Sequence, residues 1–100
     1  MTIQRNINGD RVELTLTGRL DTITAPQLEN ELNAILPSIT DLQFDLTDLS
    51  YISSAGLRVL LSAQKRMNRQ GEMLIRGANA DLMEIFEVTG FVDILNIEGA

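Results

Sequence analysis

The sequence predicts an α/β domain in which a mixed, mostly parallel sheet of four to five strands carries three to four helices, in the order ββαβαβα with a further terminal strand. Three observations predict it. Two short runs of alternating apolar and polar residues open the chain, separated by turn residues. Strand-like and helix-like periods then alternate, the pattern of crossover connections between parallel strands. One hundred residues with 44% hydrophobic and 22% charged side chains fit a single globular core spanning residues 1–100.

Each element follows in order. Thr2 to Ile7 and Arg11 to Thr17 alternate, and Asn8-Gly9-Asp10 between them predicts a β-hairpin. Val12, Leu14 and Leu16 share one face of its second strand. Gly18 to Thr24 reads as a loop. Thr24-Ala25-Pro26-Gln27 combines an N-cap threonine, a first-turn proline and a glutamine at capping-box spacing, so a helix runs to about Leu36, ended by Pro37. Leu28, Leu32, Ile35 and Leu36 form its buried stripe, and Glu29, Asn30, Glu31 and Asn33 its exposed face. Leu42, Phe44 and Leu46 give a period-two strand. A second helix runs from about Ser54 to Gln70, with Leu57, Leu60, Leu61 and Ala63 to Met67 on its apolar side and Gly71 after its end. Met73 to Ile75 make a short strand. Asn79 caps a third helix carrying Leu82, Ile85, Phe86 and Val88, stopped by Gly90, and Phe91 to Ile97 reads as a final extended segment. The first strand is expected at an edge, antiparallel to its neighbour.

Composition narrows the chemistry. Fourteen acidic against eight basic residues give a net charge of −6, which repels nucleic-acid phosphates and anionic membrane surfaces. The absence of cysteine and of a signal-like or membrane-spanning run is what a cytoplasmic protein permits. There is no histidine, so a Ser-His-Asp triad is impossible. Neither GxxxxGK nor GxGxxG occurs, so nucleotide hydrolysis has no phosphate loop. Asp41, Asp45 and Asp48 at a strand end are the best metal or phosphoaspartate cluster, but strand-end turns account for most such aspartates. No catalytic residue, metal site or cofactor is expected.

The most informative stretch is DLTDLSYISSAGLRVLL, Asp45 to Leu61, which places Ser53 and Ser54 where a buried strand turns into an amphipathic helix. A serine there caps the helix by accepting a backbone N–H, and a hydroxyl there is also well placed to carry a phosphate. Either serine fits either role by spacing alone. Gly56 reads as close packing of the helix on the sheet or as a place of partner approach, and Asp21 as an Asx turn before the first helix.

The order of residues in this stretch resembles the motif of STAS domains, and within them the bacterial anti-sigma factor antagonists. GRLDTITAPQLENEL resembles the family's segment after its second strand, and NADLMEIFEVTGF its last recognisable helix, so the likeness extends over nearly the whole chain and implies the STAS fold. By the resemblance, Ser54 is the serine phosphorylated by a partner anti-sigma factor with serine kinase activity, with Ser53 as the alternative acceptor. Ser53 stands where the family usually has aspartate, and Ala55 where serine or threonine is frequent. Asp21 corresponds to an aspartate near the acceptor, and Asp21, Ser53, Ser54, Ala55, Gly56 and Arg58 are the implied partner-binding residues. The resemblance further implies release of a sigma factor when Ser54 is unphosphorylated, and resetting by a metal-dependent serine phosphatase. The alternative within the fold is a non-switching STAS subunit of an ABC lipid-transport complex or of a stress-signalling scaffold. Relatives often add a C-terminal helix, of which Glu98-Gly99-Ala100 would be a stub.

Overall fold

Alternation in the first twenty residues becomes a hairpin. In the computed structural model, which describes residues 1–98, strand β1 (Thr2–Asn8) pairs antiparallel with β2 (Arg11–Leu20). Gly9 takes φ +66° at the first position of the two-residue turn, where a Cβ would be strained. β2 runs three residues past the boundary expected from its alternation, through what reads as a loop. Pairing is the reason. Its first half lies parallel to β3 (Asp41–Asp45), and its second half lies parallel to β4 (Leu49–Ile52), with the register shifting between Gly18 and Arg19.

β4 is absent from the predicted order. Leu49 and Ile52 are buried while Ser50 and Tyr51 are exposed, and this spacing of three is no signature of a strand. The sheet has the path β1-β2-β3-β5, with β4 beside the far end of β2 and β5 (Glu72–Arg76) parallel to β3. β1 is thus the antiparallel edge strand, as expected. Helix α1 (Ala25–Ile35) connects β2 to β3, α2 (Ser54–Gln70) connects β4 to β5, and α3 (Ala80–Val88) follows β5. Pro37 lies in a 3-10 turn, Leu36–Ser38, that extends α1.

Residues 91–97 depart from the expected extended segment. Phe91–Asp93 form a 3-10 turn because Gly90, at φ +79°, reverses the chain and the amides of Asp93, Ile94 and Leu95 bond back to the carbonyls of Gly90 and Phe91. The segment rejoins the sheet at Asn96 to Glu98, where Ile97 bridges Ile75 in parallel, the Ile75 amide donating to the Asn96 carbonyl at 2.9 Å and the Glu98 amide to the Ile75 carbonyl at 2.8 Å. Of the C-terminal stub, Gly99 and Ala100 lie outside the described residues.

The core lies on one face. Val12, Leu14, Leu16, Leu42, Phe44, Met73 and Ile75 of the strands form one buried cluster with Leu28 and Leu32 of α1, Leu60 and Met67 of α2, and Leu82 and Phe86 of α3. The opposite face carries Glu13, Thr15, Asp41, Gln43, Asp45 and Arg76, all half-buried. Arg11 pairs with Asp41, and Arg76 with Glu13 and Asp45. Parallel sheets are usually covered on both faces and then read as unbroken apolar runs. Here the polar face preserves alternation in the parallel strand β3, whereas β5 places Leu74 on that face beside Gln43 and reads as the apolar run Met73-Leu74-Ile75.

Candidate functional site

Leu20 and Ile52 are parallel partners at the ends of β2 and β4, so the segments that follow them leave the same edge of the sheet as neighbours. The Ser53 amide donates to the Leu20 carbonyl at 2.9 Å and ties the two together. The carboxyl ends of parallel strands are where α/β folds commonly place their sites.

The two serines have different tasks. Ser53 has extended backbone (φ −97°, ψ 174°), and its side-chain oxygen accepts from the Gly56 amide at 3.4 Å, so it is the N-cap of α2. Ser54 is the first helical residue and is exposed, and among the described residues no side-chain hydrogen bond engages its hydroxyl. Serine and aspartate are both preferred N-caps. Ser53 therefore supplies the cap at the position where the resemblance implies an aspartate.

Ala55 is half-buried, Gly56 buried and Arg58 exposed one turn along. A Cβ on Gly56 would stand 2.7 Å from Leu20 Cγ and 3.0 Å from Ile52 Cγ1, so glycine lets the first turn of α2 lie directly on the strand ends. Its contribution to the site is this close seating; it lies too deep to be a place of approach. Gly56→Ala is expected to lower the unfolding free energy by about 1–3 kcal/mol through overpacking, read as an earlier urea midpoint at unchanged slope.

Asp21 shapes its own loop. One carboxylate oxygen accepts from the amides of Ile23 at 3.0 Å and Thr24 at 3.1 Å, an Asx turn. The Thr24 hydroxyl accepts from the Asp21 amide and donates to the Arg19 carbonyl, each at 2.8 Å. Thr24 is consequently not the side-chain cap that its spacing suggests, and Gln27 reaches the Met1 carbonyl instead of closing a capping box. The first turn of α1 is held by backbone bonds to the Asp21 and Thr24 carbonyls. Among the described residues Asp21 makes no hydrogen bond to either serine.

The Thr24 amide is the main cause holding the Asp21 carboxyl below its ordinary value of 3.8; partial desolvation opposes it, and the Ile23 amide, the Thr24 hydroxyl and Arg19 assist. A depressed folded-state pKa contributes stability that is present above the unfolded value and lost as pH falls through the folded one. The Ile23 and Thr24 amides should stay protected from hydrogen exchange down to the ordinary aspartate range and lose protection only below it. Loss already at pH 5 would contradict this role for the carboxylate.

Three further residues frame the serine edge without having been legible in the sequence. Arg19 and Tyr51 are register partners on β2 and β4, with the guanidinium 4.3 Å from the ring centroid. Their meeting requires β4, whose pattern is not strand-like. Ile23 is 86% exposed at the tip of the Asp21 loop. A lone isoleucine among threonines was the available signal, and it carries no period. The aspartates at the β3 end do not converge. Asp41 bonds Arg11 at 2.8 Å, Asp45 caps the Thr47 amide and hydroxyl, and Asp48 is exposed. Among the described residues no group of three or more His, Cys, Asp or Glu could hold a metal ion.

The STAS domain model matches residues 2–99, which is nearly the entire chain. The chain belongs to the STAS domain family. An anti-sigma-B factor antagonist of Listeria monocytogenes is 35% identical over 96 residues, covering 90% of this chain and 83% of that protein. The crystal structure of an anti-sigma factor antagonist from Mycobacterium paratuberculosis has a TM-score of 0.89 at 19% identity, covering 99% of this chain and 86% of that one. The Bacillus cell fate determinant SpoIIAA in its phosphorylated form has a TM-score of 0.77 at 16% identity, covering 98% of this chain and 92% of that one. The STAS fold implied by the sequence is thus the observed one, with β4 as the added strand. Among the described residues no helix of this STAS domain is long and apolar enough to cross a membrane.

Proposed function

We propose that this STAS domain is a cytoplasmic anti-sigma factor antagonist. Unphosphorylated, it binds an anti-sigma factor that is also a serine kinase, and so releases a sigma factor for transcription. The observation that carries the reading is the Ser54 hydroxyl, exposed and uncommitted at the first residue of α2, while Ser53 supplies the cap. The chain is then the substrate of its partner rather than an enzyme. Ser54 Oγ attacks the terminal phosphorus of the kinase's ATP, the bond to ADP breaks, and the hydroxyl proton passes to a base on the kinase. A metal-dependent serine phosphatase reverses the modification by hydrolysis.

A phosphate on Ser54 brings about −1.5 to −2 charges to the positive end of the α2 dipole, where the first turn of the helix carries no acidic residue and the charge is stabilised by roughly 0.3–1 kcal/mol. The domain keeps its fold. A partner seated over Ser54 must instead bury or solvate a dianion, and an unpaired buried ion costs several kcal/mol. At about 1.4 kcal/mol per decade, near three decades of affinity are lost.

Ile23, Tyr51 and Arg19 give that partner an apolar contact and an aromatic-guanidinium platform beside the serine. Ile23→Asp is expected to weaken partner binding about tenfold or more, as truncation of an exposed apolar anchor does, with thermal unfolding unchanged. Equal affinity by calorimetry would remove Ile23 from the interface. The experiment for the reading as a whole is capture of partners from native lysate on the unphosphorylated protein. Recovery of a histidine-kinase-like ATPase supports it, whereas recovery of an ABC ATPase would replace it with a non-switching transport subunit.

A further inference from the structure

Among the described residues every basic side chain outside α2 lies beside a carboxylate: Arg5 pairs with Glu31, Arg11 with Asp41, Arg19 with Asp21, and Arg76 with Glu13 and Asp45. Helix α2 carries the other four of the chain's eight basic residues, Arg58, Lys65, Arg66 and Arg69, and none of its fourteen acidic ones. Among the described residues none of these four pairs with a carboxylate. Arg66 donates to Asn33 Oδ1 at 3.0 Å, while Arg58, Lys65 and Arg69 are exposed. At about 100° per residue, Ser54, Arg58, Ser62, Lys65 and Arg69 fall within an arc of about 80° on one outward stripe of the helix. All five are exposed. With a rise of about 1.5 Å per residue, the three cations span about 16 Å, and Arg58 stands about 6 Å along the axis from Ser54.

We infer that this stripe, through Ser62, Lys65 and Arg69, extends the Ser54 interface and takes an acidic surface of the same protein partner. The inference rests on the reading of Ser54 as the centre of a partner interface, and it names the chemistry that the partner brings. Exposed ion pairs add little to stability, so the fold gains little from leaving these cations paired or unpaired. A row of one sign instead projects a field that attracts and orients a partner of the opposite sign. The remainder of the chain, with four basic against fourteen acidic residues, selects the class of partner. A duplex or an anionic bilayer presents phosphates over an area far wider than one helix and would meet the acidic remainder as well. A row of Asp and Glu side chains about 16 Å long, set on a protein surface, meets the stripe alone. Phosphate on Ser54 then stands at the head of the same stripe and sets a dianion against the partner's carboxylates. The switch thereby acts on encounter as well as on the seated interface.

The test places the photocrosslinker p-benzoylphenylalanine singly at Tyr51, Ser62 or Gln4 of the full chain in its native cells. The expected result is that the Tyr51 and Ser62 positions link to one and the same protein, the latter through a peptide rich in Asp and Glu. Gln4, exposed on the edge strand β1, should not link to it. With that protein purified, Lys65→Glu should slow association about fivefold at low salt and leave dissociation within about twofold. The difference should vanish near 1 M salt, where the Debye length is about 3 Å. Arg69→Gln should slow association about threefold. Arg69 lies in the last turn of α2, where a cation also favours the helix dipole. Thermal unfolding is therefore followed for both variants, and Lys65, in mid-helix, carries the test if the Arg69 variant loses stability. A link at Tyr51 without one to the same protein at Ser62, or an unchanged association rate for Lys65→Glu, overturns the inference and leaves the Ser54 reading standing. No link at either position removes the Ser54 interface and its extension together. Binding of phosphatidylserine vesicles or duplex DNA that Lys65→Glu abolishes, with partner association unchanged, would assign the stripe to phosphate instead.

Discussion

Ser54→Asp is expected to lower affinity for the anti-sigma factor about a hundredfold or more, while Ser54→Ala binds within about threefold of the unmodified protein. The difference arises at the interface and not in the fold. At the first position of α2 an aspartate faces the positive end of the helix dipole, with no acidic neighbour in that turn, and is tolerated or slightly stabilising. The Ser53 cap on the Gly56 amide remains in either variant. Within an interface, however, the new carboxylate must be desolvated without a matched partner, and it is the unpaired buried charge that costs affinity. Alanine removes a hydroxyl that makes no side-chain hydrogen bond within the described residues, so it costs the fold nothing specific. Titration calorimetry with equal thermal stability of both variants is the check. Equal binding by both would show that the partner does not seat over Ser54.

Gly71→Ala is expected to be the most destabilising single-methyl addition at a glycine, lowering stability by about 3 kcal/mol. Gly71 is in extended backbone (φ 169°), so the reason is space and not conformation. It follows α2 and leads directly into β5, where the Glu72 amide donates to the Thr40 carbonyl at 2.9 Å. A Cβ on Gly71 would lie 1.8 Å from that same carbonyl oxygen and 2.6 Å from its carbon. Backbone cannot rotate aside as a side chain does. The strands β3 and β5 must part at their first pair, Asp41 with Glu72, and the strain spreads along a ladder that holds the centre of the sheet. At about 4–8 °C per kcal/mol for a domain of this size, the melting temperature should fall roughly 12 °C or more. A shift of a degree or two would mean that the approach of Gly71 to Thr40 is looser than described.

Most elements of this fold were readable because local chemistry and tertiary environment agree. The α2 boundaries and the Asn79 cap of α3, whose side chain accepts from the Leu82 amide at 2.9 Å, follow from residues adjacent in sequence. β3 was legible for a less common reason: its second face is polar, so a parallel strand kept the alternation of a half-buried one, while β5 was legible as the short apolar run Met73-Leu74-Ile75. Where reading failed, the deciding partner was distant. β4 is a strand because β2 is long enough to pair with it beyond β3, and nothing in LSYI announces that. Thr24 loses the capping role because the Arg19 carbonyl and Asp21 amide claim its hydroxyl. At the site, the motif located the two serines but could not divide the work between them. That division depends on which residue keeps extended backbone at the end of β4, and Ser53 does. The rim formed by Arg19, Tyr51 and Ile23 depends on β4 and on the Asx turn, and was hidden with them.

The central claim, a switch thrown by phosphate on Ser54, is tested most directly by intact-mass measurement and peptide mapping of the protein taken from its native cells in growth and under stress. The account predicts a single phosphate on Ser54, none on Ser53, and an occupancy that changes between the two conditions. Phosphate confined to Ser53, or none on either serine in any condition, would contradict it.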